Sequence, residues 1–189
     1  VPDKAITRSI KVPLGEASLS ERFYAPALDA LREAPRTIGE LIDLAEVAGS
    51  TVTPREVLGM LVGSRQARVI SNDVTAEGRT AAMRYNRVRL GAAEDEERGV
   101  GFLAAAGTGS GHGVPLFGKL VYQALCDGIP AEAGALAEAV RKTLAIHGFN
   151  IREHGEMLED KDAAGKIIAE QVAVVVAEEI PIWRRIGAI

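Results

Sequence analysis

Between Thr37 and Val62 the apolar positions fall three and four residues apart, the spacing of helices that bury one face. Ile38, Leu41, Ile42 and Ala45 mark one helix, and Val57, Leu58, Leu61 and Val62 a second. Each is preceded by a T-x-x-E sequence, Thr37 with Glu40 and Thr53 with Glu56, which ties up two free backbone amides at a helix start. Pro54 suits a first helical turn, and Gly49 ends the earlier helix. Upstream, Leu28 and Leu31 place another helix from about Pro26 to Glu33, with Ser18 or Ser20 as a cap near "ERFYAPALDALRE". The opening "AITRSIKVPLGEASLSE" alternates in places around Ile6, Ile10 and Val12 and is broken at Pro13 to Gly15, which predicts a β arm or hairpin over residues 1–20.

After the second capped helix, "ARVIS" reads as a strand and "NDVTAEG" as a turn or wing. Three helices followed by a strand and a wing predict a winged-helix-like domain over residues 21–95. The acidic "AAEDEERG", Ala92 to Gly99, reads as the linker to a helical domain over 96–189. In that domain "PLFGKLVYQALCDG" carries Leu116, Leu120, Val121 and Leu125 at helical spacing, and "PAEAGALAEAVRKTLAIHG" is a further helix. "IREHGEMLED" reads as a tight hairpin. A long final helix starts near Asp160 or Asp162, with Ile167, Ile168, Val172, Val175, Val176 and Ile180 on a broad apolar face. That face reads as core, an interdomain or dimer surface being the sharper alternative; Pro181 ends the helix, and Trp183 and Ile186 pack as a C-terminal anchor. The expected fold class is therefore mostly α with small β, a winged-helix-like N-terminal unit followed by a helical unit.

Composition narrows the function. The chain has 189 residues, 47% of them hydrophobic but only 4% aromatic, so Ala, Leu, Val and Ile must fill its core. A net charge of −4 is a poor basis for binding nucleic acid or an anionic membrane. The third helix argues the same way, since its middle, "VLGMLVG" between Arg55 and Arg65, offers almost no donors to bases or phosphates. Arg79, Arg84, Arg87 and Arg89 in "GRTAAMRYNRVRL" cluster on one later helix, read as a solvated face; charge changes at Arg84 and Arg87 are expected to alter partner docking and leave the fold intact. One cysteine, Cys126, excludes an internal disulfide and a multi-Cys metal site; in its apolar setting it reads as a buried inert thiol. Such usage suits a reducing cytoplasm. No signal peptide is visible, and the longest apolar run, Val172 to Ala177, is far short of the ~18 residues of a membrane span. The chain opens at Val1 without Met, which fits a piece of a longer polypeptide.

The stretch "LAAAGTGSGHGVP", Leu103 to Pro115, is the one that suggests a cofactor. A dinucleotide loop needs G-x-G-x-x-G, but from Gly107 the third glycine falls on His112 and from Gly109 on Val114. No Lys followed by Ser or Thr closes it as a phosphate loop. Ala104, Ala105 and Ala106 stand where S-adenosylmethionine loops carry an acid, and no second β-α-β unit comes after it to hold a ribose. It reads as a glycine-rich lead-in to a helix starting near Pro115. Ser110 lacks the G-x-S-x-G elbow spacing, and His112, His147 and His154 stand at no metal-ligand or triad spacing. The adjacent carboxylates of 94–97 lack the contrasting surroundings that an acid/base pair needs. No catalytic, cofactor-binding or metal-ligating residue is therefore assigned.

Several phrases carry a family likeness: "KVPLGEASLSERFYAPALDAL", "PRTIGELIDLA", "AAMRYNRVRL", "GTGSGHGVPL" and "IPIWRRIGAI". With the order of elements, they make the chain resemble the C-terminal region of bacterial S-adenosylmethionine-dependent methyltransferases that carry a methyltransferase regulatory domain. The plan is similar to that of the rickettsial outer-membrane-protein lysine methyltransferases. The resemblance covers nearly the whole chain and rests on structural phrases. It implies a non-catalytic accessory or regulatory module that docks the catalytic domain of the same polypeptide or its protein substrate, without nucleic acid or membrane. S-adenosylmethionine would be held by the preceding domain, none by this chain. The alternative is a free-standing winged-helix transcriptional regulator or protein-interaction module.

Overall fold

The computed structural model describes residues 9–12, 15–18, 21–47, 49, 51–64, 66–91, 100–149, 151–153, 156–158 and 160–189. They are mostly helical, with three small antiparallel hairpins. The chain divides into two compact units between Val69 and Ile70.

The first unit opens with the expected hairpin, β1 (Ser9–Val12) on β2 (Gly15–Ser18), followed by α1 (Glu21–Glu33), α2 (Ile38–Val47) and α3 (Pro54–Leu61). Phe23, Tyr24, Ala27 and Leu28 of α1 meet Leu41, Ala45, Val57 and Leu61 in one core. α1 begins ahead of Pro26 because Phe23 and Tyr24, an edge-to-face pair 4.7 Å apart, belong to that core. Both capping boxes form. The Thr37 N–H donates to Glu40 Oε2 at 2.7 Å and the Glu40 N–H to Thr37 Oγ1 at 3.2 Å; the same pair of bonds joins Thr53 and Glu56 at 2.8 and 3.3 Å. Bonds from the threonine amides hold both carboxyls below their usual range.

"ARVIS" is not a strand. The Ala67 N–H donates to the Leu61 carbonyl and the Ser71 N–H to the Gly107 carbonyl, so this backbone is spent on a helix end and a turn rather than on a neighbouring strand. Nor does the division fall at the acidic run 92–99, which lies outside the described residues, as do Ser20, Arg65 and His154. The next helix, α4 (Ala76–Gly91), belongs to the second unit because it packs against that unit's first hairpin and helix.

In that unit α4 leads to β3 (Val100–Ala105), β4 (Ser110–Pro115), α5 (Leu116–Cys126) and α6 (Ala133–Ile146). A two-residue hairpin comes next, β5 (Arg152–Glu153) on β6 (Glu156–Met157), in keeping with the tight hairpin expected there. α7 (Lys161–Val174) is capped by Asp160, whose carboxylate accepts from the Asp162 and Ala163 amides. Leu103, Val114, Val121, Leu136, Val140, Val172 and Trp183 form the centre of the core.

Pro181 does not end the last helix. One wide π-turn, Val175–Glu179, precedes α8 (Ile180–Ile186), and Pro181 sits in the first turn of α8. A proline ring collides with the carbonyl four residues earlier in a regular helix; widening the preceding turn removes that carbonyl from its path. Gly187 closes α8 in the left-handed conformation, φ 71°.

Candidate functional site

The glycine stretch is half of a β-hairpin, not a lead-in loop. β3 pairs with β4 from Val100↔Pro115 to Ala105↔Ser110, and the turn between them contains Gly109 at φ 59°. Alternation explains the residues: Leu103, His112 and Val114 face the core, while Phe102, Gly111 and Gly113 face outward. The helix then begins at Leu116, as Pro115 predicts.

Asn86, fully buried on α4, fixes this hairpin. Its Oδ1 accepts the Ala104 N–H at 2.6 Å and its Nδ2 donates to the Ala104 carbonyl at 2.9 Å and to the Tyr122 hydroxyl at 3.0 Å. Tyr122 in turn donates to the Ala188 carbonyl at 2.6 Å. Burial pushes the Tyr122 phenol up to about 12. The Gly107 and Ala106 amides donate to the Ile186 and Gly187 carbonyls, and Arg79 Nη1 donates to the carbonyls of Arg184 and Ile189. Gly107 is obligatory here, since a Cβ would lie 2.9 Å from the Ile186 carbonyl oxygen.

The outward face of the hairpin and α4 enclose an open cleft of about 420 Å³. Its floor is Ala104 and Gly111, whose small size leaves the space, and its walls are Phe102 from β3 and Tyr85 and Arg89 from α4. Tyr85 is 57% exposed and Phe102 62%, whereas the other six aromatic residues are buried or half-buried. Their placement depends on strand β3, which hydrophobic alternation does not reveal. The usable signal is their rarity, two of only eight aromatic residues.

The remaining candidates stand apart from this cleft or from one another. His112 is buried, its Nε2 3.0 Å from Glu179 Oε2 on the π-turn, and its Nδ1 has no hydrogen-bond partner among the described residues. No hydrogen bond among the described residues joins it to Ser110, so nucleophile and base are not assembled. Cys126 is half-buried beside Tyr122, and burial pushes its thiol up, away from a nucleophile's range. His147 is the exposed C-cap of α6. Arg87 pairs with Asp127 at 3.4 Å, and Arg84 is exposed on α4. Among the described residues no group of three His, Cys, Asp or Glu comes together to hold a metal, and no helix is long and apolar enough to cross a membrane. No family model, curated protein or solved structure matches this chain.

Proposed function

We propose that this chain is a non-catalytic accessory module of a cytoplasmic S-adenosylmethionine-dependent methyltransferase, and that its Tyr85–Phe102 cleft docks the catalytic domain of the same polypeptide. The observation that carries the docking is that the two exposed aromatic residues stand on opposite walls of one cleft beside an arginine. Exposed aromatic residues and arginine are the residue types that dominate protein interfaces. The methyltransferase assignment rests on the phrases "AAMRYNRVRL", "GTGSGHGVPL" and "IPIWRRIGAI" and the others that share the family likeness. The α1–α3 unit is read with it as winged-helix-like, on its order of helices. Protein is favoured over DNA as the partner because α4 arginines are engaged within the chain, among them Arg79 on backbone carbonyls and Arg87 on Asp127.

The test titrates the full chain with the S-adenosylmethionine-binding domain encoded ahead of it. Replacing Tyr85 and Phe102 together by Ala is expected to weaken docking by about thirtyfold, the size of a hot-spot loss of ~2 kcal/mol. Docking unchanged by that pair overturns the assignment of the cleft. Equilibrium dialysis of the chain alone against S-adenosylmethionine is expected to show no uptake; one-to-one binding overturns the non-catalytic reading.

A further inference from the structure

We infer that the hydrogen bond between His112 and Glu179 is a conformational latch: it fixes where the helix running from α7 into α8 widens, and so how α8 is turned toward the β3–β4 hairpin. Along α7 and into the wide turn, the buried residues Ile168, Val172 and Val175 fall four and three apart, as on one face of a regular helix. Four residues on, that face would carry Glu179 into the core. The buried residue is Ile180 instead, and Trp183 and Ile186 follow at helical spacing. The wide turn supplies the extra residue, for the Ile180 N–H donates to the Val175 carbonyl, five positions back. Pro181 demands a wide turn ahead of it but does not decide at which residue the widening starts.

Glu179 decides it. Its Oε2 lies 3.0 Å from His112 Nε2, and since a carboxylate only accepts, Nε2 carries the proton. If the widening began later, Glu179 would stay in phase with Val175 and turn by about 100° off His112. The pair is a poor source of stability. His112 is 7% exposed, the other inward residues of its hairpin are Leu103, Ala105 and Val114, and its Nδ1 has no hydrogen-bond partner among the described residues. A buried nitrogen without a partner is destabilising, and a leucine at this position would carry no such cost. Buried polar pairs of this kind are best attested as devices that choose one register among several. What the register governs here is the hairpin, because the Ile186 and Gly187 carbonyls meet the Gly107 and Ala106 amides only with α8 turned this way. The same hairpin carries Ala104 and Gly111, the floor of the cleft.

The experiment follows backbone amides by NMR in the full chain, as wild type, as His112→Leu, and as His112→Leu with Glu179→Leu. In wild type one set of signals is expected for residues 175–188, with a slowly exchanging proton on His112 Nε2. His112→Leu is expected to keep or raise the thermal midpoint, to split those signals into two sets, and to speed exchange at the Gly107 amide at least tenfold. The double variant removes the carboxylate as well, so that position 179 accepts the core, and is expected to split the signals in the same way. It carries the test if His112→Leu alone fails to fold, since no unpaired carboxylate remains in it. One set of signals at wild-type positions in the variants overturns the latch. So does a lower midpoint with one set, which makes the pair an ordinary structural bond. A wild-type Nε2 proton that exchanges as fast as that of an exposed histidine overturns the bond itself.

Discussion

Tyr122 links Asn86 of α4 to the Ala188 carbonyl, and it makes the second unit sensitive to alkali. The phenol must stay protonated to donate to Ala188, and burial lifts it from an ordinary value near 10 to about 12. A raised folded value stabilises the fold below the unfolded value and loses that contribution as the pH climbs through the folded one. The thermal midpoint is therefore expected to fall between about pH 10 and 12. Tyr122→Phe should start lower, because Asn86 and Ala188 each lose a partner, and should flatten that decline. Tyr24 and Cys126, both pushed up by burial, contribute to the slope that remains. An equal decline in wild type and variant would remove Tyr122 as its source. Nothing in the sequence announces this residue: "LVYQALCDG" shows a tyrosine on a helix, and its two partners come from positions 36 residues before it and 66 after it.

At the scale of elements, local chemistry is the part that can be read from sequence. Thr53 and Glu56 close a capping box using only neighbours, so four residues suffice to place α3. Thr53→Ala is expected to cost about 1 kcal/mol, read as a lower urea midpoint, because the Glu56 amide loses its acceptor. The hairpin β3–β4 is illegible for the opposite reason. Its inward positions are Leu103, Ala105, His112 and Val114, and its outward ones Phe102, Ala104, Gly111 and Gly113, so hydrophobic alternation is inverted by an exposed Phe and a buried His. Glycines that read as a loop are strand residues because Phe102 lies over them and supplies the cover their missing side chains do not. Pro181 misleads in a similar way: the rule that proline stops a helix holds for a regular turn, and here the turn before it is wide.

For the whole molecule, periodicity is enough to give the mostly helical class, but not the division between units. The acidic run 92–99 looks like a linker by composition, yet the contacts that group α4 with the second unit are long-range bonds such as Asn86 to Ala104 of the hairpin and Arg79 to Arg184 of α8. The cleft is hidden with them, since its two walls lie on elements that periodicity assigns to different domains. Deleting residues 186–189 is expected to strip exchange protection from the Leu103 and His112 amides and to abolish cooperative melting of the second unit. The deletion leaves the Ala106 and Gly107 amides without acceptors and takes away the carbonyl bonded by Tyr122, groups whose buried loss costs about 1–3 kcal/mol each. Retention of protection at those amides would show that the hairpin stands without that segment.

The tie between the hairpin turn and residues 186–188 also governs how the unit is made. A ribosome that has delivered α4, β3 and β4 has delivered a hairpin whose turn still lacks its acceptors, and α5 and α6 emerge before any of them arrive. Closing so long a loop is slow, and domains fold as units during synthesis. The second unit must therefore wait, partly assembled and with Trp183 still unburied, until the α8 segment has left the ribosome.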